Sequence, residues 1–142
     1  YWLFFYFFMT CAMCDALNQE YRIVEKDDYS FCIVNAFPLK DGHVMVLPRR
    51  HVLEIPEFSD IEKISMLDMT SRIRSRLIEK YAQGIITLNH GNGLNTQEHF
   101  HIHLLPSRVG LRNLVSSYEK LPFKERASEE KLRKIRDYIN KI

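Results

Sequence analysis

The chain has 142 residues, of which 46% are hydrophobic and 27% charged, and a formal net charge of +2 at pH 7. This length suits one domain with a sizeable core, and the composition is ordinary for a globular protein in water. A charge so close to neutral argues against nucleic acid or a membrane as a bulk partner.

The first eight residues differ from the rest, because seven are aromatic and the eighth is leucine. The run is much shorter than the ~20 residues that span a bilayer, and no basic residue precedes it as in a signal peptide. We expect residues 1–8 to be a non-native or disordered extension, with Met9 as the functional start and residues 9–142 as a single domain. An anchor to a membrane surface or a partner protein stays open for this segment.

Two of the three cysteines form a CxxC pair, Cys11-Ala-Met-Cys14. An odd count that includes such a pair favours a reducing compartment and metal or redox use over a secreted disulfide framework. We therefore expect a cytoplasmic protein.

Hydrophobic periodicity after the cysteine pair predicts five strands and two helices. The strands are expected at 21–25, 30–35, 43–48, 85–89 and 99–106. A long helix begins at Ser59, which forms a capping box with Glu62, and ends at Gly84. Its apolar positions predict one stripe, formed by Ile61, Ile64, Leu67, Ile73, Leu77, Ile78 and Tyr81 and broadened by Met66 and Met69. With a short C-terminal helix from Ser128, this order predicts an α+β fold with a mainly antiparallel sheet.

Three histidines alternate with apolar residues in His99-Phe100-His101-Ile102-His103. The period of two predicts a strand with the imidazoles in a row on one face. The outer two would lie roughly 13 Å apart, too far for all three to bind one metal ion on a straight strand. Because imidazole is a nucleophile and a proton carrier near neutral pH, the row predicts a reactive groove with the middle ring at its centre.

The loop before this row, residues 89–96, is small, polar and glycine-bearing. Its amides and hydroxyls suit an anionic group such as phosphate. The sequence has no P-loop motif and no GxGxxG motif, so a nucleotide would have to be held in another way.

The histidine row, the CxxC pair and the segment Gly-His-Val-Met-Val-Leu-Pro-Arg-Arg-His at 42–51 together resemble the histidine triad (HIT) family. The resemblance covers roughly residues 11–108 and implies a HIT-like fold. It implies a nucleotide hydrolase acting at the α-phosphate of a dinucleoside polyphosphate or a nucleoside phosphoramidate. A nucleotidyl-histidine would be the intermediate. A nucleotidyl transferase and a non-catalytic nucleotide-binding protein are the alternatives, and a homodimer with the long helix at its seam is also implied.

The resemblance assigns catalytic roles to four histidines. His101 matches the residue that attacks phosphorus, His103 and His43 match the supporting histidines, and His99 is the first of the triad. The uridylyltransferase branch carries glutamine at the third triad position, so histidine there favours hydrolysis over transfer.

The resemblance also assigns substrate contacts. Asn35 matches the residue that holds the ribose hydroxyls, and Asn89 matches a polar residue beside the phosphate. Thr96 keeps a phosphate contact, whereas Asn95 stands where many members carry glutamine. A histidine at position 90 is unusual for the family. These departures leave the leaving group undetermined.

A structural zinc ion is implied by the zinc-bearing members of the family. The ligands would be Cys11, Cys14, His51 and His99, which leave no coordination position open.

The residues alone also leave open a metalloenzyme of the cupin or HxH type, with two of the row histidines as ligands. Such sites usually use a carboxylate as well. Glu98 alternates onto the other face of the predicted strand, and the next acid after the motif is Glu119.

Overall fold

A computed structural model describes residues 11–91, 94, 97–120 and 126–141. The chain divides into two compact units, residues 1–110 and 111–142. The predicted extension at residues 1–8 lies outside the described residues, so its nature stays a prediction, as does the single domain over 9–142.

The described residues of the first unit form two α-helices and five strands. In chain order they are α1 (Ala12–Ala16), β1 (Ile23–Lys26), β2 (Ser30–Val34), β3 (Val44–Pro48), α2 (Asp60–Tyr81), β4 (Gly84–Leu88) and β5 (Ile102–Ser107), with short 3-10 helices at Glu20–Arg22 and Ile55–Glu57. The strands form one sheet in the order β1-β2-β3-β5-β4, and every neighbouring pair is antiparallel. The predicted α+β fold with a five-stranded antiparallel sheet is confirmed.

The second unit contains α3 (Leu111–Glu119) and α4 (Glu129–Ile139). The apolar spacing after Ser128 predicted α4, and Ser128 caps it by accepting a hydrogen bond from the Lys131 N–H. The sequence analysis missed α3, because the pattern after Pro106 was too weak to show a period.

The central strands are apolar on both faces, since each face is covered by a helix. On one face, Cys32, Val44 and Val46 pack against the buried side of α2. On the other face, Phe31 and Met45 belong to a second buried cluster that includes Ala16 of α1. Alternation along β2 and β3 therefore sends successive side chains into two separate cores.

Helix α2 begins as predicted and buries a different stripe from the predicted one. Ser59 accepts from the Glu62 N–H, and the Glu62 carboxylate accepts in return from the Ser59 N–H, so the capping box is present. The buried positions are Glu62, Met66, Met69, Thr70, Ile73 and Leu77, whereas Ile61, Ile64, Leu67, Ile78 and Tyr81 are exposed. The prediction of one apolar stripe was wrong because the apolar residues cover two sides of the helix and the sheet contacts only one.

The end of α2 also differs from the prediction. The helix ends at Tyr81, and Ala82 follows in the left-handed conformation with a φ of 50°. Gly84, expected to end the helix, is the first residue of β4.

The predicted strand of alternating histidines is only partly formed. Strand β5 begins at Ile102, so His99 and His101 precede it. The Phe100 N–H donates to the carbonyl of Val52 at 2.6 Å. The backbone at this point is therefore hydrogen-bonded to the segment after β3 and not to a neighbouring strand. The expected row of three imidazoles on one face is therefore wrong: His99 turns towards the cysteines while His101 and His103 face a pocket.

None of the helices in the described part of the chain is long and apolar enough to cross a lipid bilayer.

Candidate active site

A pocket of about 540 Å³ opens on the face of the sheet opposite α2. His103 lies directly across from Met45 in the register of β3 and β5, and alternation puts both on the face away from α2. The four histidines that line the pocket are His43, His90, His101 and His103. Its apolar lining includes Met13, Phe37, Leu39 and Met45. The volume is in the range of small-molecule sites.

His101 is held by a hydrogen bond to the backbone of its own motif. Its Nδ1 lies 2.7 Å from the carbonyl oxygen of His99, and the ring is almost fully buried. A carbonyl can only accept, so Nδ1 carries the hydrogen and Nε2 of the neutral ring keeps its lone pair. The Asn89 amide donates to the carbonyl of His101 at 2.6 Å and fixes the backbone at the same point.

A chain of hydrogen bonds sets the tautomer of His103. The Leu39 N–H donates to Nδ1 of His43 at 3.1 Å, so the hydrogen of neutral His43 is on Nε2. That nitrogen lies 2.9 Å from Nδ1 of His103 and donates to it. Nε2 of His103 therefore carries a hydrogen, and it is the remaining nitrogen of a ring that lines the pocket.

Burial favours the neutral form of four histidines, namely His43, His101 and His103 of the pocket and His99. It lowers the pKa of His43, His99 and His101 below the usual value for histidine, although bonds to backbone carbonyls oppose the effect at His99 and His101. For His103, burial and then the neighbouring His101, His43 and His90 lower the pKa to about 4. A neutral ring retains the lone pair that a nucleophile needs.

Two of the four predicted substrate contacts lie within the described residues. Asn35 lines the pocket, and its Oδ1 accepts from the Phe37 N–H at 2.8 Å while Nδ2 lies 3.4 Å from Nε2 of His43. Asn89 is engaged with the His101 backbone. Asn95 and Thr96 lie outside the described residues, so their phosphate contacts stay predictions.

The four predicted metal ligands lie together in one cluster, formed by Cys11, Cys14, His51 and His99. Cys14 Sγ lies 3.4 Å from Nδ1 of His51 and 3.4 Å from Nδ1 of His99, and Cys11 Sγ is also 3.4 Å from Nδ1 of His99. A tetrahedral zinc with usual bond lengths separates sulfur and nitrogen ligands by roughly 3.6 Å. The donor set and its spacing therefore fit a zinc ion.

The surrounding contacts orient these ligands. Nε2 of His99 donates to the Pro48 carbonyl at 3.0 Å, which leaves the Nδ1 lone pair towards the sulfurs. This is the usual outer contact of a metal-binding histidine. The Phe100–Val52 backbone bond places the neighbouring His99 and His51 side by side, with ring centroids 5.0 Å apart.

Comparison with known proteins identifies the fold family. The HIT domain matches residues 16–110. The chain belongs to the HIT family. It is 36% identical over 98 residues to a bis(5'-adenosyl)-triphosphatase of Dictyostelium discoideum, covering 65% of this chain and 64% of that protein. It is 28% identical over 104 residues to an AP-4-A phosphorylase of Mycobacterium tuberculosis, covering 70% and 53%.

A solved structure shows the same HIT fold over most of the chain. A HIT family member from Bacillus subtilis superposes with a TM-score of 0.71 at 19% identity, covering 93% of this chain and 96% of that one. The chain spans less than two thirds of the length of either relative named above.

Several residues of the HIT pocket were missed by the sequence analysis. Met13 and Arg22 come from the N-terminal segment, and no local pattern connects them with a motif some eighty residues later. Leu39 contributes its backbone N–H, a group that every residue except proline has. His90 was noted as unusual but received no role, although it faces both His101 and His103.

Proposed function

We propose that this HIT protein is a nucleotide hydrolase that acts at the α-phosphate of a dinucleoside polyphosphate or a nucleoside phosphoramidate. The observation that carries the proposal is the hydrogen bond from His101 Nδ1 to the His99 carbonyl, which leaves an unprotonated Nε2 on a ring that lines the pocket. The names of the two relatives, a triphosphatase and a phosphorylase of adenosine polyphosphates, support this substrate class.

The reaction follows from this arrangement in two steps. Nε2 of His101 attacks the α-phosphorus, the bond from phosphorus to the leaving group breaks, and a nucleotidyl-His101 forms. Water then attacks the same phosphorus, the P–N bond breaks, and a nucleoside monophosphate leaves while His101 recovers its lone pair.

His103 and His43 would assist by donating hydrogen bonds. The Nε2–H of His103 suits a phosphoryl oxygen, where negative charge grows in the transition state. The Leu39–His43–His103 chain holds that hydrogen in place before substrate binds. Phe37 and Leu39 line the pocket with largely exposed apolar surface, which suits loose contact with a base.

The test replaces the proposed nucleophile. His101→Ala should lose turnover of a panel of dinucleoside polyphosphates and phosphoramidates, while His103→Ala should keep a rate reduced by about 10²–10³-fold, as for removal of one transition-state donor. The wild type, quenched during turnover, should carry a nucleotidyl group on His101 in mass spectrometry. A covalent nucleotide on another residue, or near-normal turnover by His101→Ala, contradicts the proposal.

A nucleotidyl transferase is the second candidate, favoured by the phosphorylase name of one relative. The two candidates share the nucleotidyl-His101 and differ in the acceptor of the second step. Reaction in isotopically labelled inorganic phosphate separates them. A phosphorylase transfers the nucleotidyl group to phosphate and incorporates the label into a nucleoside diphosphate, whereas a hydrolase transfers it to water and forms an unlabelled nucleoside monophosphate.

We also propose that Cys11, Cys14, His51 and His99 hold a structural zinc ion. Four protein ligands leave no open position, so the ion would connect the N-terminal segment to the strand ends and take no part in the reaction. Burial, together with the adjacent Cys11, raises the pKa of the Cys14 thiol to about 11, so zinc must displace a proton there. The cytoplasmic location stays a prediction that agrees with this need for reduced thiols.

Removing the metal should lower stability. Protein purified without chelators should contain one zinc per chain, and both chelation and Cys11→Ser should lower the melting temperature, because metal binding contributes to folding. Cys32→Ala is the matched control, since this thiol is buried in the core between β2 and α2. The variant should keep its zinc, and chelation should still lower its melting temperature. Two results contradict the proposal: no zinc in such a preparation, or immediate loss of turnover on chelation without loss of stability.

A further inference from the structure

Three imidazoles surround one point of the pocket. His90 stacks on His103 with ring centroids 5.3 Å apart and an interplanar angle of 16°, and it meets His101 edge-on at 5.8 Å. One ring nitrogen from each of the three lies within 4.8 Å of the other two. This trio shares no side chain with the Cys11, Cys14, His51 and His99 cluster.

In His101 and His103, the Nδ1 atom of the ring already has a hydrogen-bond partner. Nδ1 of His101 donates to the His99 carbonyl, and Nδ1 of His103 is bonded to Nε2 of His43. A histidine that binds a metal usually donates its second ring N–H as His101 does, which fixes the orientation of the ring. Nδ1 of His103 instead accepts from Nε2 of His43. Nε2 of His101 is thus free of a hydrogen, whereas Nε2 of His103 can bind a metal only after it loses its hydrogen.

The third ring supplies an independent observation. Nδ1 of His90 is buried and has no hydrogen-bond partner among the described residues. Native proteins seldom leave a buried polar atom unpaired, because the atom loses its water without gaining a replacement. A cation bound between the three rings would provide that replacement.

We propose that His90, His101 and His103 bind a divalent transition-metal ion, in a site separate from the proposed structural zinc. Neutral imidazoles suit Zn²⁺, Co²⁺, Ni²⁺ or Cu²⁺, whereas Mg²⁺ and Ca²⁺ prefer oxygen ligands. Three protein ligands leave a coordination position open for water or a phosphate oxygen.

The site is weaker than the cysteine-containing one, for a reason visible in the hydrogen bonds. The Leu39–His43–His103 chain favours a hydrogen on Nε2 of His103, so a metal at this nitrogen must move the hydrogen of each of the two rings to Nδ1. The hydrogen bond that His43 accepts from the Leu39 N–H is then lost, which costs binding energy. The trio should therefore bind metal less tightly than the cysteine-containing site.

An ion at this site would inhibit the reaction, because it would occupy the lone pair of His101. This inhibition rests on the proposed function, whereas the binding of metal does not. Metal should therefore lower the rate of hydrolysis, and its removal should restore activity.

The experiment adds Co²⁺ to the purified protein after its cysteine site has been filled with zinc. One equivalent should produce visible d–d absorption without the near-ultraviolet band of a cobalt–thiolate bond, and should broaden the ring signals of His90, His101 and His103 in NMR spectra. His90→Asn should weaken this binding by at least about tenfold, because the loss of a direct ligand should cost no less than the loss of a group that only supports one. The matched control is Gln97→Ala, which also changes the pocket lining and should bind Co²⁺ as the wild type does.

The same samples test inhibition. Hydrolysis by the wild type and by Gln97→Ala should fall as Co²⁺ fills the site, and hydrolysis by His90→Asn should resist the same concentrations. Unchanged Co²⁺ affinity in a folded His90→Asn variant overturns the proposal, and so does a cobalt–thiolate band as the only signal. Binding that needs His90 in a protein without turnover would support the metal site and contradict the proposed function alone.

Discussion

A backbone N–H can only donate a hydrogen bond, and at the scale of single residues this decides the chemistry of the pocket. Leu39 gives its N–H to His43, and the tautomers of His43 and His103 follow from that bond. The carbonyl of His99 can only accept a hydrogen bond, so it fixes the hydrogen of His101 on Nδ1. One imidazole thereby keeps an unprotonated Nε2 and another an Nε2–H, which is the arrangement that the proposed nucleophile and donor require.

Asn35 allows a test of ribose recognition at this scale. Asn35→Ala should weaken binding of a ribonucleotide by about 1–3 kcal/mol, the usual cost of leaving buried polar groups unpaired. Asn35→Asp is the matched control, since a carboxylate can still accept from the Phe37 N–H and from ribose hydroxyls. Calorimetric titration of both variants measures the difference.

A ligand without ribose hydroxyls separates recognition from damage to the pocket. A dideoxynucleotide should bind the wild type and Asn35→Ala alike. If Asn35→Ala loses affinity equally for both ligands, Asn35 acts on the shape of the pocket and the ribose assignment is wrong.

At the scale of elements, the turn between β2 and β3 determines where His43 lies. Gly42 has a φ of +84°, in a region that side chains rarely adopt. A Cβ there would lie 2.6 Å from Tyr81 Cε2 and 2.8 Å from Pro106 Cγ. The close approach connects this turn to the end of α2 and to β5, next to the residue that orients His103.

Gly42→Ala should therefore destabilise the protein. The left-handed conformation alone costs roughly 1–3 kcal/mol, and the contact with Tyr81 adds to it. Gly110→Ala is the matched control, because a Cβ at that position meets no atom within 4 Å. Thermal unfolding should show a clear decrease in melting temperature for the first variant and a small change for the second. Equal melting temperatures would show that the turn relaxes without cost.

At the scale of the whole molecule, the exposed side of α2 bears on assembly. Ile64 and Leu67 are 68% and 73% exposed, and Ile61 is 50% exposed. Strand β4 lies at one edge of the sheet in the described structure, where a second sheet could pair with it. Exposed apolar side chains that lie together are typical of a surface that another chain covers.

We expect a homodimer formed through this surface. The wild type should sediment at about twice the 16.9 kDa of one chain at micromolar concentration. Leu67→Glu should shift the equilibrium towards the monomer, because the carboxylate would lose its water in the interface. Tyr21→Glu, at a residue that is 85% exposed outside α2, is the control and should stay dimeric. A wild-type mass near 16.9 kDa would exclude the dimer.

Local sequence patterns by themselves determined much of the framework. The five strands lie close to their predicted positions, and the Ser59–Glu62 capping box begins α2. Apolar periodicity and helix caps act between residues close in the chain, so a short stretch is sufficient to read them. The family resemblance added Asn35, His43, His101 and His103, which line the pocket, and the four proposed zinc ligands.

Only the tertiary structure decided how those residues are used. The alternating pattern predicted that His99 lies on the same face as His101. In the structure, the hydrogen bond from Phe100 to Val52 holds this segment outside the sheet, and His99 points towards Cys11 and Cys14. Likewise, the sheet contacts one side of α2 and leaves the other exposed. The periodicity of the helix sequence does not show which of the two apolar sides is buried. The direction of a side chain depends on partners some fifty to ninety residues away, and those partners are known only once the chain has packed.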